Sequence, residues 1–227
     1  MAVEIIRETV NGERRKEIYE IGMNREKEFE DISIYILTPE SPILTIHGND
    51  HIEKYMHLEN IPENMEIVRI ESNVNSGVVF SDENTTIVRI FAPLRNILRL
   101  NMIFNRIALE VLEAAGIPSR ISTHRPGAND LVFLKDGIEK KFSGCIKDFN
   151  QCLFSFFFCF DFNHESVEGL YKLDTPKMKK RGDVKSTSDI IGGLREISPN
   201  AGPDLIDDII EKIILELNPE WKDDETP

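Results

Sequence analysis

Asp130, Lys141 and the pair Ser143-Gly144 are the residues whose types and spacing could do chemistry together. Between them, Asp136-Gly137 separates two β-like runs, Asn129-Asp130-Leu131-Val132-Phe133-Leu134 and Ile138 through Cys145. An Asp-Gly pair so placed is a strong hairpin signal. A two-residue turn sets Leu134 opposite Glu139, Val132 opposite Lys141 and Asp130 opposite Ser143. Alternation then gathers Asp130, Lys141 and Ser143 on one face, and Leu131, Phe133 and Phe142 on the other, an assignment that a one-residue bulge would break. Convergent polar groups of this kind signal a binding cleft, and a fixed lysine suits an anion there. The same lysine taken alone reads as a strand residue guarding a sheet edge. Cys145 falls on the Lys141 face in this register, where a cation would lower its thiol pKa and activate it as a nucleophile. Its other reading is a small side chain filling a strand position.

Two further clusters invite a metal reading. His47 and His51 flank Gly48-Asn49-Asp50, with His57 nearby. The helical pattern begins only around His51, so the imidazoles need not converge, and a turn with solvated histidines is the simpler expectation. Cys145, Cys152 and Cys159 are evenly spaced, but on strands this spacing alternates faces. No Cys-x-x-Cys pair is present. Tyr171 to Val184 is basic in an acidic chain, through Lys172, Lys177, Lys179, Lys180 and Arg181. It reads either as a solvated face or as a cation-rich loop closing over an anion.

The elements that must position these residues follow from periodicity. Val3–Ile6 reads as an opening strand and Asn11–Glu28 as an amphipathic surface helix capped by Asn11. Strands are expected at Ile32–Leu37, Ile43–Ile46, Glu66–Ile70, Val78–Phe80 and Thr85–Phe91. Leu94–Ala115 is the clearest helix, with Leu100, Ile103, Phe104, Ile107, Val111 and Ala114 on one face; Gly116 and Pro118 end it. Cys152–Phe162 is almost wholly apolar, too short to span a bilayer and suited to a buried central strand beside the hairpin. Ser188–Leu194 reads as a short helix broken by Gly192-Gly193. Pro203–Leu217 is a final helix with Leu205, Ile206, Ile209, Ile210, Ile213 and Leu217 inward.

The chain has 227 residues, 41% hydrophobic and 30% charged, as a globular chain with one sizeable core does. A single α+β domain over residues 1–227 is expected: a mixed, largely antiparallel β-sheet flanked by helices. Residues 1–30 supply an opening strand and helix, and residues 222–227 a fraying tail. Net charge −13 speaks against a nucleic-acid partner, and no apolar run suits a membrane. Three cysteines and an N-terminus without a secretory pattern suggest free thiols in a cytoplasmic protein.

Asn129-Asp130-Leu131-Val132, a short turn, then Lys141-Phe142-Ser143-Gly144 resembles the central signature of the lipoate–protein ligase family, which shares its catalytic fold with biotin–protein ligases. The order of the rest is similar: a loop before Val79-Phe80-Ser81-Asp82, the long helix before Asn129, and a basic segment after the hairpin. Within that segment Met178 to Ser186 looks like the family's adenylate-closing loop. The resemblance runs from about Ile32 to Leu194.

It implies an ATP-dependent ligase. The carboxylate of lipoate or a related acid attacks the α-phosphate of ATP, and a lysine of an acceptor (lipoyl) domain then attacks the acyl-adenylate. Lys141 is the implied catalytic residue. Arg69, Ser76, Gly77, Val78, Asn129, Asp130, Ser143, Gly144 and Lys185 are implied to bind substrate or nucleotide, with Asp130 near an Mg²⁺ ion carried by ATP. A companion accessory chain is a further implied partner. The family's paired arginines and Gly-Gly-Gly run correspond here to Arg69 through Gly77, with one arginine and one glycine, and its upstream Gly-Arg to Gly48-Asn49. A non-catalytic binding homologue is therefore an alternative. An octanoyl or lipoyl acyltransferase is another. Those that use cysteine carry it just before the Asn-Asp-Leu strand, where this chain has Ile121 to Arg125. A biotin ligase would carry Trp-Pro there, and this chain does not.

Overall fold

The computed structural model describes residues 1–21, 29–48, 51–70, 78–122, 130–174 and 185–219. Strands β1 (Val3–Val10) and β2 (Ile32–Pro39) run parallel, in register from Val3–Ile32 to Val10–Pro39. A parallel pair needs a crossover, and this one begins with helix α1 (Gly12–Glu20). The Asn11 side chain caps it by accepting the Arg14 N–H at 2.9 Å. Residues 22–28, which the charge pattern adds to this helix, lie outside the described residues.

From β2 onward the large sheet is antiparallel, through β6 (Thr85–Phe91), β10 (Leu153–Cys159), β9 (Ile138–Asp148), β8 (Leu131–Lys135) and the short β7 (Arg120–Ile121). The apolar run after the hairpin is thus a central strand, as its composition predicts. A second sheet sets β3 (Ile43–His47) between β4 (Glu66–Ile70), parallel to it, and β5 (Val78–Ser81), antiparallel.

Helices cover one face of the large sheet. α2 (Leu94–Ala114) and the C-terminal helix (Asp204–Leu217) bury Ile97, Leu100, Phe104, Ile107, Ile206, Ile209 and Ile213 against Val88, Ile90, Phe154, Phe156 and Phe158. Phe104 seats between Phe154 and Phe156, with ring centroids 5.3 and 4.7 Å away. Burying a side chain of this size is worth roughly 1.5–3 kcal/mol, which is why these two helices hold that face. Ala114, expected on the same stripe, is exposed in the last turn before Gly116. The other face of the sheet meets α1, Phe29 and the small sheet, through Ile18, Tyr19, Ile43, Val68, Ile70, Ile87 and Phe91. The short helix expected over Ser188–Leu194 is instead two 3-10 turns, Thr187–Asp189 and Leu194–Glu196, on either side of Gly192-Gly193.

Candidate functional site

The hairpin turn forms as its sequence demands. Asp136 and Gly137 both take positive φ, 53° and 80°, which is the condition for the tight turn that matches strand twist. Leu134 faces Glu139 and Val132 faces Lys141. The expected pairing of Asp130 with Ser143 does not occur. The ladder slips between Leu131 and Val132, and Leu131 pairs with Ser143, so β9 carries one extra residue here. Such a bulge reverses the parity of every residue beyond it.

The consequence is a different grouping. Ser143 lies opposite Leu131 and Phe158, both in the helix-side core, and is fully buried with an unpartnered hydroxyl. It leaves the face shared by Asp130 and Lys141. Cys145 also changes face: it pairs with Phe156 and packs on the helix side. Burial pushes its thiol pKa up despite Lys147 and Lys141, the reverse of what a nucleophile needs. Gly144 takes the vacated place. A Cβ on it would lie 2.8 Å from Lys141 Nζ and 3.0 Å from Asp130 Oδ1.

Lys141 Nζ donates to Asp130 Oδ1 at 2.8 Å, and the ammonium sits 5.6 Å from the Phe157 ring centroid. The lysine side chain is 23% exposed and the aspartate 6%, a half-buried pair and not an edge-guarding lysine. Lys141 is not at an edge at all. Where β10 ends, Ile190–Gly192 takes its slot beside β9: Lys141 N–H donates to the Ile190 carbonyl at 2.9 Å, and Gly192 N–H to the Lys141 carbonyl at 3.1 Å. Glu196 anchors this segment. It accepts from Lys140 at 2.8 Å, from Lys135 at 2.9 Å and from the Gly193 N–H at 3.2 Å. Burial raises its pKa, but the two lysines outweigh that and hold it below the usual range. Gly192-Gly193 has a packing reason: a Cβ on Gly193 would come within 2.6 Å of the backbone of Phe160 and Asp161.

The other site residues are scattered or undescribed. Arg69 is exposed on β4, pointing away from the side that buries Val68 and Ile70. Val78 opens β5, half-buried and opposite Ile46. Lys185 is exposed, its N–H bound to Asp189 at 2.8 Å. Ser76, Gly77 and Asn129 lie outside the described residues, as does most of the basic segment, residues 175–184.

Two buried arginines escape the sequence pattern, and His47 is buried where a solvated imidazole is expected. Arg15, Arg89 and His47 are 3%, 2% and 2% exposed and line one cavity with Tyr19, Gly144 and Phe157. His47 is therefore not one of a solvated set, whereas His51 and His57 are, each beside a glutamate. Among the described residues no group of three or more His, Cys, Asp or Glu could hold a metal ion. A divalent ion at Asp130 would have one carboxylate, already bonded to Lys141, and so would be held mainly by phosphate oxygens of a nucleotide. Arg89 stood out in principle, as a lone charge inside a fully buried strand. Arg15 did not, since its Glu-Arg-Arg-Lys-Glu context reads as a solvated helix.

No described helix is long and apolar enough to cross a membrane. No family model matches the chain, and no curated protein matches it in sequence. Solved structures do share the fold. A bi-partite lipoate protein ligase from Thermoplasma acidophilum, studied with its E2 lipoyl domain, is 14% identical, with a TM-score of 0.67 over 96% of this chain and 84% of that one. A lipoate-protein ligase A bound with ATP is 13% identical, with a TM-score of 0.64 over 96% and 85%. LipL1 of P. falciparum in complex with lipoate is 14% identical, with a TM-score of 0.61 over 99% and 65%. The likeness is one of fold.

Proposed function

We propose that this chain, which has the fold of the lipoate–protein ligases, is an ATP-dependent ligase that activates lipoate or a related acyl acid and transfers it to a lysine of an acceptor domain. The observation that carries this reading is the Lys141–Asp130 pair, half-buried against Gly144 and Phe157. Activation brings a carboxylate against an α-phosphate, two anions that repel. A fixed ammonium between them lowers that cost, and a partly desolvated site makes it more effective. Asp130 aims the ammonium. The bare backbone at Gly144 leaves room for the reacting groups beside it.

The reaction then needs positioning more than a protein nucleophile. The substrate carboxylate oxygen bonds to the α-phosphorus as pyrophosphate leaves. The acceptor lysine amine next attacks the acyl carbon, and AMP leaves. Ile190–Gly192, paired to Lys141, ties the chain that follows residues 175–184 to the same point. This supports Lys185, at the head of that chain, as a nucleotide contact. The similar archaeal ligase is bi-partite, which supports a companion accessory chain here. No disulfide joins Cys145, Cys152 and Cys159, which is in keeping with a cytoplasmic setting.

The test is ATP–pyrophosphate exchange with lipoate, octanoate and biotin in turn. Exchange with lipoate or octanoate that vanishes in Lys141→Ala supports the ligase. Absence of exchange with every acid, straight-chain dicarboxylates included, at high protein concentration overturns it, in favour of a binding homologue without catalysis.

A further inference from the structure

Arg15 and Arg89 are two guanidinium groups buried in one cavity of 20 Å³, and among the described residues no carboxylate pairs with either. Their hydrogen bonds go elsewhere. Arg15 donates to the Ser81 hydroxyl, and Arg89 donates to the Arg15 carbonyl at 2.5 Å and lies 5.1 Å from the Tyr19 ring centroid. Arg15 Nε and His47 Nδ1 are buried without any partner. A guanidinium keeps its proton inside proteins, so this burial leaves positive charge unmatched. Burying unmatched charge is costly unless something neutralises it.

The same cavity touches the candidate site. Gly144, whose missing Cβ faces Lys141 Nζ, forms part of its wall, and Phe157 and Ile87 supply apolar lining between that wall and the arginines. A chain held by a carboxylate at Lys141 would thus run along apolar surface toward two cations.

We propose that Arg15 and Arg89, with His47 beside them, bind a second carboxylate at the far end of the acid substrate, so that the acid taken is a dicarboxylate. The assignment rests on the ligase reading for the Lys141 end only. The arginine end is an anion site in its own right.

The experiment is calorimetric titration of the whole chain, without ATP, with straight-chain dicarboxylates and monocarboxylates of matched length, and with acetate and inorganic phosphate. One dicarboxylate is expected to bind about tenfold or more tighter than its matched monocarboxylate. Arg89→Met and Arg15→Gln should erase that preference, while Arg89→Lys should keep part of it. In Lys141→Ala the ratio should persist although exchange is lost, which separates this proposal from the ligase reading. Equal affinity for both series in the wild-type protein overturns the proposal, whatever the variants do. So does phosphate or acetate binding as tightly as the best dicarboxylate.

Discussion

Lys141 and Asp130 meet at 2.8 Å although their strand positions are not register partners. Lys141 faces Val132, and the bulge at Phe142 lets the lysine lean over Gly144 to the residue that precedes β8. Asp130 is nearly fully buried, so removing Lys141 takes an ion-pair partner from a desolvated carboxylate. Lys141→Ala should abolish pyrophosphate exchange and lower stability by about 2 kcal/mol, less than for a fully buried pair because the lysine is partly solvated. Asp130→Asn should keep the charge and lose its aim, lowering exchange by roughly 10–100-fold. Urea titration and exchange rates measured on both variants check this.

Gly144 and Gly193 should respond differently to alanine. A methyl at Gly144 meets the far end of the flexible Lys141 side chain, which can move aside. Gly144→Ala should lower the melting temperature less than Lys141→Ala does, since the ammonium is shifted and not removed, and should cost roughly tenfold or more in exchange. A methyl at Gly193 meets the backbone of Phe160 and Asp161 at 2.6 Å, which cannot yield cheaply. Gly193→Ala should destabilise by about 1–3 kcal/mol. A stable Gly193→Ala protein with unaltered melting would refute the packing argument.

The hairpin, the central apolar strand and both long helices were legible because each rests on local signals: a turn dipeptide, a buried run, a 3.6-residue stripe. The bulge was not. Phe142 is apolar and its neighbours Lys141 and Ser143 are polar, so the alternation looks unbroken in sequence while the ladder slips by one residue. That slip moved Ser143 and Cys145 off the Lys141 face. The arginine pair was hidden for another reason. Arg15 is covered by β5 and Arg89, elements distant in sequence, and no window of the chain contains both.

His47 gives the pH dependence. Burial first, then the charges of Arg15 and Arg89, hold its pKa down to about 3, against 6.5 for an ordinary imidazole. The folded protein thus carries a neutral His47 where the unfolded chain would be protonated. Between these values the unfolded state binds more protons, so stability falls as pH drops from about 6.5 toward 3 and is fully present above that window. The loss reaches roughly 4 kcal/mol at the acid end. His47→Gln should flatten this arm of the profile. A wild-type protein whose unfolding free energy stays level from pH 6.5 to 4 would remove His47 from the buried cluster.

Ser143→Ala should keep full exchange activity. The hydroxyl is buried against Leu131 and Phe158 and has no partner, so its removal relieves a desolvated polar group. Stability should stay the same or rise by up to about 1 kcal/mol. A tenfold fall in exchange with unchanged melting would place the side chain, and not only the backbone of Ser143-Gly144, in the reaction.

Cys145 separates adenylate chemistry from acyl transfer through a thioester. A nucleophilic thiol must be ionised and reachable; this one faces Phe156 across the ladder, packs on the helix side, and is driven toward its neutral form by burial. Lys147 and Lys141 pull the other way but do not overcome the desolvation. Cys145→Ser should therefore hold exchange within about threefold of wild type, since a change confined to the wall of the core moves the Lys141 face little. Intact mass after incubation with an octanoylated carrier protein should show no adduct on the wild-type chain. An octanoyl adduct that disappears in Cys145→Ser would reverse the face assigned to this residue and, with it, the bulge that sets the whole site.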